Sequence, residues 1–247
     1  MNKSVLTLFI CLFLISEVHS QNLDNVLPDT IEKGYFEMPY GNMHISGFFN
    51  DYLRTGNWVT SFPNGQLHIL EQYENGKKNG LYLKINKRGD IVEQAGYKND
   101  SLHGKVIEFT NSGRIKLQEE YSQGVLDGKR ITYYDRGGVQ EESEYTSGLR
   151  DGPTHWYNSE GKLIAAYSYL DGEMDGAQET FYSNDSLRTR EHYKKGILSG
   201  TILEKYESGE IKLQGYYKDG KKEGDWLEYD EDGNLKSKTT YKKGIKK

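Results

Sequence analysis

The sequence predicts an all-β protein, an elongated single-layer antiparallel meander of about eight 24-residue β-hairpin repeats. Three observations carry this: glycines recur at a strict 24-residue spacing, tyrosines keep the same spacing, and no segment sustains a helical period. The anchor glycines are Gly56, Gly80, Gly104, Gly128, Gly152, Gly176, Gly200 and Gly224. With each anchor as position 0, position 11 holds an aliphatic residue, from Leu67 to Leu235. Position 17 holds Tyr73, Tyr97, Tyr121, Tyr145, Tyr169, Tyr193, Tyr217 and Tyr241.

Residues 1–20 place Lys3 before an apolar run from Val5 to Ile15 and end on small residues, the layout of a signal peptide. Export to the periplasm or the extracellular space is therefore expected. Residues 21–40 form an N-terminal lead-in, and 41–55, which keep Gly41, Met43 and Phe49 of the pattern, a partial capping repeat. The eight repeats then fill 56–247.

Within a repeat, the stretch after the anchor glycine, such as GKRITYYDRGG or GDWLEYDEDG, alternates and is rich in aromatic and β-branched residues. It predicts a strand running into a tight turn around position 9. The stretch from position 11 to the tyrosine predicts the second strand. Octets such as YTSGLRDG (145–152) then turn one hairpin into the next, their two glycines supplying positive φ. Asp100 and Asp185 replace a glycine with a residue that tolerates the left-handed region. Turns this short cannot cross over a sheet, so neighbouring strands run antiparallel, in a ribbon on the order of 80 Å long.

Positions 3 and 5 are mostly apolar, whereas 12, 14 and 16 are mostly Lys, Arg, Gln and Glu. If the hairpins pair odd positions with odd, the ribbon has one aromatic–aliphatic face and one charged face. The tyrosines would cover a groove, their hydroxyls capping turns or meeting water.

The charge of −5 argues against nucleic-acid partners and anionic membranes, which want clustered Lys and Arg. Cys11 lies in the leader, which leaves the rest of the chain without a thiol or disulfide. Histidines 44, 68, 103, 155 and 192 show no metal-ligand spacing, so no metal site is expected. Asp127, Asp151 and Asp175 precede anchor glycines as a carboxylate ladder of turn formers. No nucleophile elbow or phosphate loop occurs; no catalytic residue and no cofactor are expected.

The least uniform patch, Arg130, Thr154, His155, Trp156 and Gln178, is the candidate binding site, and the tyrosine column is a candidate ladder for an envelope polysaccharide. The repeat pattern G-x-W-x-x-Y-x-x-x-G-x-L with a later Y-x-x-G, seen in GDWLEYDEDGNL and in Tyr241 to Gly244, resembles the bacterial variant of the MORN repeat, often labelled antitoxin-like. The resemblance covers roughly residues 41–247. It implies an elongated antiparallel sheet that serves as an interaction scaffold, with no catalytic residue. A protein partner bound through the sheet face or edge is the leading expectation. Glycan binding, an antitoxin-like neutralising role and a homodimer through apolar faces stay open beside it.

Overall fold

The computed structural model describes Leu27 and residues 30–247; the signal-peptide stretch lies outside the described residues. Nineteen strands form one sheet, with no helix among the described residues. The first hairpin is β1 (Lys33–Tyr40) and β2 (Met43–Asn50); strand β1 lies in the stretch read as lead-in and pairs with β2 along its whole length. The next four hairpins are β3 (Leu53–Ser61) and β4 (Leu67–Glu74), β5 (Lys77–Ile85) and β6 (Ile91–Lys98), β7 (Ser101–Phe109) and β8 (Ile115–Ser122), and β9 (Val125–Tyr133) and β10 (Val139–Thr146). They are followed by β11 (Leu149–Tyr157) and β12 (Leu163–Leu170), β13 (Glu173–Phe181) and β14 (Leu187–Lys194), β15 (Ile197–Lys205) and β16 (Ile211–Lys218), and β17 (Lys221–Tyr229) and β18 (Leu235–Lys242). The two-residue β19 (Ile245–Lys246) comes last. Each strand pairs antiparallel with the next in sequence, so the expected meander is the observed one.

Two turn types alternate. In the inner turn of β3–β4, Gly65 N–H donates to Phe62 O and Phe62 N–H to Gln66 O, with Gly65 at φ +82°. This is a type I turn closed by a left-handed residue, and Asp185 fills the glycine place at φ +66°. Where position 6 is Asn86, Asn158 or Asp230, its side-chain oxygen accepts the N–H groups two and four residues on. Where it is Tyr134, Tyr182 or Tyr206, the hydroxyl instead donates to a backbone carbonyl of the following repeat: Tyr157, Lys205 or Tyr229.

The outer turns have two residues, both at positive φ, as in Asn75–Gly76 (50° and 79°) and Asn99–Asp100 (51° and 67°). That is the twist-matched type I′ hairpin turn. The second turn residue also reaches the preceding repeat: Gly76 N–H donates to Arg54 O and Gly244 N–H to Lys222 O, both at 2.9 Å. The anchor glycine makes no turn at all. It sits inside the strand, in a bulge where three residues such as Asn79, Gly80 and Leu81 oppose Gln72 alone. Gly80 there adopts φ +114°.

The register corrects the expected faces. Position 5 does pair with position 11, as in Ile85 with Ile91, which is odd with odd. One step inward, position 12 bulges out, and beyond it position 3 pairs with 14 and position 2 with 15. A single unpaired residue flips the parity. The apolar positions 3 and 5 therefore share a face with the charged positions 14 and 16. The buried row lies on the other side, at positions 2, 15 and 17.

Candidate functional site

The tyrosine face is built from position 2 of each repeat set against position 15 of the one before. Size or charge is complementary across several of these pairs, whereas Ile202 opposes Glu191 and Gln178 opposes Tyr167. Trp58 lies over Gly47, and Trp226 over Gly215, where an added Cβ would stand 2.3 and 2.4 Å from ring carbons. Tyr82 opposes Glu71, Val106 opposes Ala95, Arg130 opposes Glu119, and Thr154 opposes Ser143. Trp58 Nε1 donates to Phe48 O at 3.2 Å, and Gln178 Nε2 donates to Ser168 O, the equivalent carbonyl, at 3.0 Å. Gln178 thus keeps the indole's hydrogen bond without the indole.

Aromatic packing concentrates at the N-terminal end, where Ile45, Phe49, Trp58 and Tyr73 form a core that Leu27, Ile31, Phe36 and Tyr40 cover. A second core of Tyr82, Ala95 and Val106 follows. Tyr73 is buried; the other ladder tyrosines are half-buried. Hydroxyls of Tyr73, Tyr121 and Tyr193 donate to Glu71, Glu119 and Glu191 two residues earlier, rather than capping turns. Burial first, then the Glu191 carboxylate, pushes the Tyr193 phenol up to about 12. Burial likewise raises Tyr82, Tyr97, Tyr121, Tyr167 and Tyr217.

Position −2 adds a feature that the sequence reading missed. Arg54, Lys78 and Lys222 extend over the aromatic at position 2, with Lys222 Nζ 3.9 Å from the Trp226 ring centroid and Arg54 Cζ 4.0 Å from that of Tyr73. Leu102, Leu126, Met174 and Leu198 take the same place in four of the five repeats where position 2 is not aromatic; in the fifth Arg150 lies over Trp156 instead. Each such cation–π contact stabilises by roughly 0.5–1 kcal/mol. Comparing column −2 with column 2 in the sequence would have revealed it.

The candidate patch divides between two faces. Arg130, Thr154, Gln178 and Trp156 lie on the tyrosine face; His155 lies on the opposite one, beside Tyr157. Arg130 pairs with Glu119 at 3.0 Å, Arg150 pairs with Glu141 at 2.5 Å, and Arg150 Nε donates to Tyr145 at 3.0 Å. Trp156 packs edge-on against Tyr167, 4.9 Å between centroids. Arg130, Arg150 and Trp156 are held by neighbours within the sheet, and Thr154 and Gln178 are buried, so the middle of the tyrosine face is a polar core. Among the described residues, no three His, Cys, Asp or Glu side chains converge as metal ligands.

The segments 54–75, 126–146, 174–195, 198–219 and 222–243 each start at position −2; four run into the outer turn, and 126–146 stops at the end of β10. All five match the MORN repeat variant. The matched unit of each MORN-like hairpin thus spans one complete β-hairpin from its position −2 residue through its ladder tyrosine. No curated protein matches the chain. The remaining hairpins, anchored at Gly80, Gly104 and Gly152, keep the same register. Two of them flank the Asn99–Asp100 turn that lacks glycine, and the third carries Trp156.

Proposed function

We propose that the chain is an exported, non-enzymatic scaffold that binds a protein partner along its outer-turn margin. The observation that carries this reading is an exposed aliphatic residue at position −3 in four of the eight repeats, the others holding Lys77, Ser101, Glu173 and Lys221. Leu53, Val125, Leu149 and Ile197 are 44–52% exposed, although each packs one side on or near the glycine of an outer turn. Leu170 at the same margin is 50% exposed. Apolar side chains lined up along one edge of a single-layer sheet offer a partner contact area that the sheet itself does not cover. The open, sequential architecture adds a long surface and side chains engaged with each other rather than converging on a reaction centre. Export rests on residues 1–20, and the antitoxin-like role on the repeat resemblance, with a toxin as one special partner.

The test is cross-linking in an envelope extract with the wild-type chain and with L149E/I197E. The expected result is a cross-linked partner that the double variant loses while its melting temperature stays put. Equal capture by both proteins would remove the reading.

A further inference from the structure

The face opposite the tyrosines carries a trough across β13 to β17, open to solvent and about 680 Å³ in volume. Direct cross-strand pairs set Glu179, Arg190, Leu203, Gln214 and Leu227 in one row across the five strands. His192, Thr201 and Tyr216 run beside it. Four strand spacings give it a length of about 19 Å.

Sequence differences within the array create this trough. Position 1, Lys105 and Lys129 in two middle repeats, is Ala177 and Thr201 here, which lowers the floor. Position 16 raises the wall. Gln72, Glu120, Glu144, Ser168 and His192 each fold back over the next anchor glycine. Tyr216 leaves Gly224 uncovered, and that glycine relaxes to φ +71° from the 101–128° of the covered ones. The phenol ring stands 45% exposed at the rim.

The charges lining the trough are paired: Arg190 with Glu179 in its row at 2.5 Å, and Asp225 with Lys238 of the neighbouring strand at 2.7 Å. An anionic polymer would want uncompensated cations. A peptide strand would want an unpaired backbone edge, and here every strand is paired on both sides. The remaining features are an exposed ring, an aliphatic floor and fixed planar polar groups at a regular pitch.

We propose that this trough binds a neutral oligosaccharide laid across the strands. The CH face of one pyranose ring stacks on Tyr216, and hydroxyl groups of its neighbours meet Gln214, His192 and Arg190. The site lies on different residues from the outer-turn margin, so either reading can fail without the other. It also relocates polysaccharide binding from the tyrosine ladder, whose rings are half-buried, to the other face.

The test is affinity electrophoresis of the full chain through gels containing neutral glucan, mannan or galactan, with alginate as the anionic comparison. Calorimetry with oligosaccharides of the retarding polymer follows. Tyr216→Ala and Ala177→Lys, the second placing in the trough the lysine that two middle repeats carry at that position, should each weaken binding at least about tenfold. Circular dichroism and Trp226 fluorescence should stay unchanged in both. The proposal is overturned if no neutral polymer retards the chain, if alginate alone does, or if binding survives both substitutions in folded protein.

Discussion

Trp226 lies flat on Gly215, and that contact sets how the row of buried residues responds to change. Gly215→Ala should cost about 1–3 kcal/mol in chemical denaturation, because the indole must lift off its seat. The pair logic makes a second expectation. Gln178→Trp brings an indole over Tyr167 instead of glycine, so it should destabilise alone and recover in the double variant with Tyr167→Gly, a non-additivity that a double-mutant cycle measures. Burial holds the Tyr97, Tyr121, Tyr193 and Tyr217 phenols above the usual range, which means the folded state holds their protons more tightly than the unfolded one. Their stabilising contribution is complete below pH 10 and drains away as pH rises toward the value of about 12 at Tyr193. Phenolate absorbance should therefore rise together with unfolding, not ahead of it. At this scale the sequence showed which columns matter, but not which residues face each other: the unpaired residue at position 12 reverses the parity, so position 3 pairs with 14 and position 2 with 15.

At the scale of the hairpin, the outer turns hold residues that tolerate their conformation unequally. Asn75, Asp171 and Asp219 suit the left-handed region, whereas Gln123 and Lys195 adopt φ +51° and +49° without that aptitude. Gln123→Asn and Lys195→Asn should each raise stability by roughly 0.5–1 kcal/mol, read from urea midpoints at constant slope. The inner turns hold themselves in two ways. Tyr182→Phe removes the bond to Lys205 O and should cost about 1 kcal/mol, measured in the same way. Turn positions were legible because glycine, Asn and Asp announce positive φ. The bulge at the anchor glycine was not, since a glycine reads the same in a turn as in a strand that must bow outward.

For the whole molecule, each repeat rests on its two neighbours and on little else, so stability is close to a sum over adjacent interfaces. Deleting residues 153–176, one full period, should leave a folded ribbon about 10 Å shorter by small-angle scattering. It should melt lower, because Gln178 then opposes Ser143 in place of Tyr167. A meander also has a mechanical character. Load applied between Lys33 and Lys246 runs along the hydrogen bonds, across the strands, so bonds break one rung at a time instead of resisting together. Every 24-residue period released would pay out about 70–80 Å of slack chain in exchange for one 10 Å step. Such a ribbon yields to a steady pull in small, repeatable increments and can absorb strain between whatever is fastened to its two ends.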